Sequence, residues 1–340
     1  MPRKLLVAEK PAFARDFFHS PASKVTEWDA VFTMSLGWWR FAPDHTRTFS
    51  DIPFTSLPSL MHRFTDLNSR DRYRLYELDR DIKPYQNDLY PTPEALIGYL
   101  HSKCIDGTYD EVVILVDPDH TGGWGASQIV TALGVCGEMP VPVTVVRIVC
   151  FTAEALNKAF STRAPWANSP IQQDISYAKV KRLFDYWFFT NSALVFGELL
   201  KQLELNNSKI LSKYELMATC ILGQAQVDVS FGEFADRLAK WPGSGKFRPE
   251  QRIGIGSPMS LNYIIKQMLD RGTAHPLSES TIGLTPRGSA LIDLLHPKTF
   301  DPDLPFRLHK WCSENDLEAA GRYIRQLFGR QLRYQRRHMA

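Results

Sequence analysis

The chain has 340 residues, of which 44% are hydrophobic and 23% are charged, and these fractions exclude a disordered or low-complexity polypeptide. No apolar run approaches the roughly 18–20 residues that span a bilayer, and the start of the chain does not read as a signal peptide. We therefore expect a cytoplasmic protein without a membrane partner.

The positive charge of the chain is concentrated at its end. Forty basic and 37 acidic residues give a net charge of +3, yet the last 20 residues contain six arginines and no acid. The rest of the chain is therefore net negative. A terminal arginine cluster suits a polyanion, because guanidinium groups contact phosphates bidentately and binding releases counterions. A solvated helix end is the alternative explanation.

The first half of the chain alternates strand-like and helix-like segments. Short aliphatic runs at Leu5–Ala8, Val112–Val116 and Val143–Val149 predict strands, and helical stretches follow the first two. Near-continuous aliphatic strands separated by helices are typical of a parallel sheet that is covered on both faces. We therefore predict an α/β domain, in which residues 42–100 form an excursion between strands that we do not place.

Helical spacing dominates the second half of the chain, from about Pro165 onward. Helices are predicted over Tyr177–Leu205, Leu211–Leu222, Phe231–Trp241 and Ser260–Arg271, with a flexible linker at Trp241–Pro249. A short β-like stretch and another helix follow, and this order predicts a winged-helix-like element. We assign residues 164–312 to a mainly α-helical DNA-binding domain that contains this element, and residues 313–340 to a basic C-terminal helix.

Acidic residues directly follow two of the predicted strands. Glu9 follows the first, and Asp117 and Asp119 follow the second. The carboxyl ends of parallel strands line one edge of a sheet, and alternation along an extended D-x-D segment puts both aspartates on one side. Convergent carboxylates without Cys or His suit Mg²⁺, which would hold a phosphate during phosphodiester transfer. A solvated strand end and a common nucleotide-sheet D-x-D are the alternative interpretations.

At these residues the chain resembles the TOPRIM domain of type IA DNA topoisomerases, especially the topoisomerase III branch. The stretch Glu9-Lys10-Pro11-Ala12-Phe13-Ala14 resembles the E-K-P-S-x-A opening of that domain, and Val116–Asp119 with Gly122 resembles its D-P-D-R-E-G segment. Further family-like stretches occur in the same order: Ser35–Gly37, Phe151–Leu156, Lys181–Asp185, Ile253–Pro258 with Ile264-Ile265, and Leu284–Gly288.

The resemblance implies a TOPRIM domain, with a Rossmann-like parallel sheet, in residues 1–163. It implies catalytic roles for Glu9, Lys10, Asp117 and Asp119, with Glu9, Asp117 and Asp119 as ligands of a Mg²⁺ cofactor. It also implies that Lys181 and Arg182 face DNA, which we expect to be single-stranded. From the terminal charge cluster we add Arg325, Arg330 and Arg333 to the DNA-binding residues.

The chain departs from the family at several positions of the implied site. Thr121 stands in place of the third acidic residue, and His120 and Gly123 replace a neighbouring Arg and Glu. The largest departure is the gate. The family carries its nucleophilic tyrosine on a long arch, whereas Glu215–Asn262 is 48 residues long and contains no tyrosine. Strand passage needs that phenolic oxygen to form the covalent DNA link.

Three functions stay open at this point. The chain could be a reduced or split topoisomerase, with a partner protein that supplies the missing gate. It could be a Mg²⁺-dependent nuclease with water as the nucleophile, or a non-catalytic DNA-binding accessory. Relaxation of supercoiled DNA, cleavage that depends on the aspartates, and salt-sensitive binding without turnover distinguish the three.

Overall fold

A seven-stranded sheet organises the first half of the chain in the computed structural model. The structure describes residues 3–9, 11–32, 40–41, 60–61, 73–78, 84–90, 93–135, 139–205, 210–225, 229–247, 253–256 and 258–338. The strands of this half are β1 (Arg3–Ala8), β2 (Glu27–Phe32), β3 (Arg40–Phe41), β4 (Leu60–Met61), β5 (Tyr73–Leu78), β6 (Pro84–Tyr90), β7 (Tyr109–Val116), β8 (Val143–Arg147) and β9 (Ala164–Pro165).

The centre of the sheet is parallel and its edges are antiparallel. The strand order is β6-β5-β2-β1-β7-β8-β9, and β3 pairs separately with β4. Strands β2, β1, β7 and β8 run parallel, whereas β5, β6 and β9 are antiparallel to their neighbours. Two of the antiparallel strands, β5 and β6, lie within residues 42–100, for which the sequence pattern predicted no strands.

Helices cover both faces of the parallel strands. They are α1 (Pro11–His19), α2 (Pro93–Ile105), α3 (His120–Val135), α4 (Ala153–Ser161) and the start of α5 (Ile171–Val195). Along β1, Leu5 and Val7 pack with residues of α2 and α3, whereas Leu6 and Ala8 pack with residues of α1 and α4. Both faces of the strand are therefore buried, which explains its uninterrupted aliphatic sequence. The predicted α/β domain is confirmed at this level.

A buried ion network ties three strands together. Glu111 of β7 accepts hydrogen bonds from Lys4 Nζ at 2.6 Å, Arg163 Nη2 at 2.7 Å and Thr144 Oγ1 at 2.6 Å. Burial acts to raise the pKa of Glu111, but the hydrogen bonds from Arg163, Lys4 and Thr144 outweigh it and lower the pKa to about 2. The carboxylate is therefore charged and paired inside the sheet.

The second half of the chain is mainly helical. Its elements are α6 (Gly197–Gln202), α7 (Lys213–Gly223), β10 (Val229–Ser230), α8 (Phe231–Ala239), α9 (Pro258–Arg271), β11 (Ala274–Pro276), β12 (Thr281–Leu284), α10 (Pro286–Asp293), α11 (Leu304–Ser313) and α12 (Leu317–His338). Strands β10, β12 and β11 form a small antiparallel sheet. Helices α7, α8 and α10 have N-cap residues with a hydroxyl group. The side chains of Ser212, Ser230 and Thr285 each accept a hydrogen bond from a backbone N–H of the first turn.

A buried ion pair joins α7 to the end of α9. The Arg271 guanidinium donates to both carboxylate oxygens of Glu215 and to the carbonyl of Ile210, the last at 2.8 Å. Both charged side chains are almost fully removed from solvent. Because each partner would be an uncompensated buried charge without the other, this pair fixes where the two helices meet.

The segment predicted as a flexible linker is instead a fixed turn over residues 241–247. The indole N–H of Trp241 donates to the Pro302 carbonyl at 2.7 Å. The buried Asp303 carboxylate accepts the backbone N–H of Ser244 at 2.7 Å and its hydroxyl at 2.6 Å. The prediction of flexibility is therefore wrong for these residues, because a distant carboxylate satisfies the turn that Pro and Gly signalled.

The chain divides into two compact units between Lys179 and Val180. The sequence pattern predicted this boundary at residue 163. The first unit extends further because β9 pairs with β8, and because Ile171 of α5 belongs to the core on one face of the sheet. Helix α12 is part of the second unit. No helix in the described part of the chain combines the length and hydropathy needed to cross a bilayer.

Replacement of Glu111 by alanine tests the buried network. We expect Glu111→Ala to lower the free energy of unfolding at neutral pH by roughly 3–5 kcal/mol, because Lys4 and Arg163 lose their buried partner. The folded-state pKa is depressed, so this stabilisation is present above the unfolded pKa of about 4.3 and is lost as the pH falls toward 2.

Urea unfolding of the wild type and the variant at pH 7 and near pH 2.5 measures this. The difference between the two proteins should shrink at the lower pH. The exposed Asp110 of the same strand provides the matched control, and Asp110→Ala should change stability by no more than about 0.5 kcal/mol. A pH-independent difference for Glu111→Ala would contradict the proposed ionisation.

Candidate functional site

The register of the parallel strands brings two of the predicted site residues together. Ala8 of β1 pairs with Leu115 of β7, and the backbone N–H of Glu9 donates to the Leu115 carbonyl at 2.9 Å. The buried side chain of Glu9 then turns toward the end of β7, where its Oε2 accepts the backbone N–H of Asp117 at 2.8 Å. We call Glu9 and Asp117 the acidic pair.

Asp119 does not continue an extended segment, so the expected alternation of the two aspartates is wrong. Strand β7 ends at Val116, and Asp119 immediately precedes α3. Its Oδ1 accepts the backbone N–H of Gly122 at 2.8 Å, and its carbonyl accepts that of Gly123 at 3.1 Å. Aspartate is a preferred residue at this capping position, and its carboxylate satisfies an N–H that the helix leaves unpaired.

Gly122 lies directly against the acidic pair. A Cβ atom at this position would be 2.6 Å from Glu9 Oε2 and 2.9 Å from the Asp117 carbonyl oxygen. Only glycine therefore allows the first turn of α3 to approach so closely. Thr121, the preceding residue, is exposed to solvent.

The donor chemistry of the acidic residues suits Mg²⁺. Glu9, Asp117 and Asp119 offer only oxygen atoms, and Mg²⁺ is commonly held by one or two carboxylates together with waters and substrate phosphates. In the described part of the chain, no three His, Cys, Asp or Glu side chains are arranged to hold an ion by themselves. The acidic pair fits the water-rich kind of site. Lys10, the fourth predicted catalytic residue, lies outside the described residues.

A second polar cluster flanks the start of α3 and was not predicted. Asp174 of α5 accepts a hydrogen bond from Arg147 Nη2 at 2.6 Å, and its other oxygen lies 2.9 Å from His120 Nδ1. The His120 ring stacks on Tyr177 with 3.6 Å between centroids. Arg147 ends β8, but the sequence predicted this strand to continue to Val149, so Arg147 was not recognised as a strand-end residue. No sequence signal marked Asp174.

Lys181, one of the predicted DNA contacts, forms an ion pair within its own unit. Its ammonium donates to Asp185 one helical turn away at 2.9 Å, and the buried Lys213 donates to the other oxygen of Asp185. Burial acts to raise the pKa of Asp185, but the two lysines outweigh it and hold the pKa at about 2. Arg182 is half-buried beside this cluster. The roles of both residues in DNA binding stay predictions.

The predicted arginines of the terminal helix occupy different environments. Arg325 and Arg333 are exposed on α12, whereas Arg330 is partly buried. Arg322, on the same helix, forms an ion pair with Glu318. The opposite face of α12 is buried through Ile324, Leu327, Phe328 and their neighbours.

Comparisons with known proteins give a structural similarity but no family. No family model and no curated protein matches the chain. A solved structure of full-length topoisomerase I from Thermotoga maritima is similar at 12% identity and a TM-score of 0.37, over 64% of this chain and 29% of that one. The chain thus spans less than a third of that protein's length. A TM-score of this size does not establish a shared function.

Replacement of Gly122 by alanine tests the contact between α3 and the acidic pair. We expect Gly122→Ala to lower the free energy of unfolding by about 1–3 kcal/mol, because the added methyl group overlaps the Glu9 carboxylate. Gly98 of α2 is the matched control, since a Cβ there meets nothing within 4 Å. Gly98→Ala should be neutral or stabilise the helix by up to about 1 kcal/mol. Equal effects of the two substitutions in urea titrations would contradict the close approach.

Proposed function

We propose that this protein binds single-stranded DNA through a core similar to that of type IA topoisomerases, with a Mg²⁺ site at Glu9, Asp117 and Asp119 in a TOPRIM-like first unit. The observation that carries this proposal is the acidic pair at the ends of neighbouring parallel strands. Its two members come from stretches 108 residues apart, and the Glu9 carboxylate accepts the backbone N–H of Asp117. The order of family-like motifs along the chain gives separate support.

The acidic pair and Asp119 have distinct parts in this proposal. The backbone N–H of Asp117 orients Oε2 of Glu9. Asp119 uses Oδ1 to cap α3, and we assign its carboxylate to the same Mg²⁺ ion. A bound Mg²⁺ would supply positive charge to a phosphate. Lys10 would neutralise the phosphate further, as the family resemblance implies.

The second unit supports nucleic-acid binding without strand passage. Its order of helix α7, strand β10, helices α8 and α9, and hairpin β11–β12 supports the winged-helix-like element that we propose here. In such an element α9 would be the recognition helix, and it exposes Asn262, Tyr263 and Lys266. The tyrosine-bearing arch of the family is replaced by a short stretch that includes the fixed turn at residues 241–247. We therefore propose that a partner protein supplies the nucleophile wherever strand passage occurs.

Metal-dependent binding of a labelled single strand tests the proposal. We expect Mg²⁺ to tighten DNA binding by the wild type, measured by fluorescence anisotropy against an EDTA control. Glu9→Gln keeps an oxygen that accepts the Asp117 N–H but removes the charge. Asp117→Asn removes the charge of the second carboxylate with little change in side-chain size. Either change should raise the Mg²⁺ concentration for half-maximal effect at least about tenfold.

Asp110→Asn is the matched control, because Asp110 lies on the same strand as the Asp117 segment but at its opposite end. It should keep the Mg²⁺ effect of the wild type. An undiminished Mg²⁺ effect in Asp117→Asn would remove the proposed site. The same reactions, resolved on a gel, distinguish the other functions: strand cleavage identifies a nuclease, and relaxed plasmid identifies an independent topoisomerase.

A further inference from the structure

A buried glutamine fixes the loop after α10 against the terminal helix. Gln331 of α12 is fully buried, and its Oε1 accepts the backbone N–H of His296 and the hydroxyl of Thr299, both at 2.8 Å. Its Nε2 donates to the Leu294 carbonyl at 3.1 Å. Three hydrogen bonds from one side chain therefore hold residues 294–299 in one place on α12.

This attachment gathers positive side chains from the loop and the helix. Lys298 is exposed, and its backbone N–H donates to His296 Nδ1 at 3.0 Å. Arg330 and Arg333 lie on the helix on either side of Gln331. Burial lowers the pKa of His296, and the positive charges of Arg330, Lys298 and Arg333 lower it further. All three cations are therefore close enough to act on one imidazole. We call His296, Lys298, Arg330 and Arg333 the loop–helix surface.

The charges of this surface have no acidic partner in the described part of the chain. Within the residues that the structure describes, Lys298, Arg330 and Arg333 take part in no ion pair. The neighbouring acid of the loop, Asp301, is already paired with Arg307 at 3.3 Å. Arg322 differs, because Glu318 neutralises it one turn away. A concentration of unpaired positive charge on rigid elements attracts a polyanion.

The structure favours nucleic acid over a lipid surface as that polyanion. A helix that binds a membrane inserts its apolar face into the lipid. In α12 that face is already occupied, because Ile324, Leu327 and Phe328 are buried in the protein. Only polar and charged groups of the loop–helix surface are left for a ligand.

We propose that the loop–helix surface binds phosphates of single-stranded DNA, with Lys298 and Arg333 as direct contacts. The proposal rests on the proposed function for the class of ligand. It extends that function by adding His296 and Lys298, which the charge pattern of the terminal helix did not reveal.

Salt dependence of binding in EDTA tests the proposal separately from the Mg²⁺ site. The logarithm of the observed association constant for a labelled single strand is plotted against the logarithm of salt concentration. The slope should fall by about 0.7 for Lys298→Ala, by about 0.7 for Arg333→Ala, and by about 1.4 for the double variant. Arg322→Ala removes the same charge from the same helix and should leave the slope unchanged.

Two outcomes would overturn the inference. One is an equal fall of the slope in Arg322→Ala and Arg333→Ala, which would mean that net charge alone matters. The other is an unchanged slope in the double variant while the wild type binds DNA. Vesicles of phosphatidylcholine and phosphatidylglycerol form a further arm, in which binding as tight as that of DNA identifies a lipid site and rejects the proposal. If the proposed Mg²⁺ site is absent, Glu9→Gln and Asp117→Asn keep the Mg²⁺ effect of the wild type. The salt slopes are measured in EDTA, so they test the loop–helix surface independently of that result.

Discussion

The parallel pairing of β1 with β7 is the constraint on which the candidate site depends. It sets Glu9 level with the end of β7, and the Glu9 carboxylate then receives the Asp117 amide N–H. An isolated carboxylate as buried as Glu9 would be costly, so this hydrogen bond both satisfies the side chain and fixes the loop that leads into α3. Helix α3 can start where it does only because Gly122 has no Cβ to displace the same carboxylate.

The sequence predicted the parallel strands β1, β7 and β8, because burial on both faces leaves an unmistakable aliphatic run, as in Val112–Val116. It missed the parallel strand β2, whose sequence contains Glu27 and Asp29. It also predicted that Glu9 and Asp117 meet, since strand order and direction determine that. It did not predict the capping role of Asp119, because an aspartate after a strand reads equally well as a ligand or as a helix cap. The antiparallel edge strands were missed because their half-polar sequences lack the aliphatic signal.

Buried polar contacts in the second unit had no sequence signature at all. Arg271 and Glu215 are separated by 56 residues, and each resembles a solvated charge on an amphipathic helix. Asp303 and Ser244 are 59 residues apart, yet their contact converts an apparent linker into a fixed turn. Long-range pairs of this kind follow from packing, so a pattern within one segment carries no information about them. Gln331 belongs to the same class.

The exposure of Thr121 has a consequence for redesign. Its side chain is exposed to solvent, so a larger side chain at residue 121 displaces no buried group. At the adjoining Gly122 even a Cβ atom would lie 2.6 Å from Glu9 Oε2. Adjacent positions in the first turn of one helix thus differ in their tolerance of substitution, and an additional carboxylate can be introduced at residue 121 but not at residue 122.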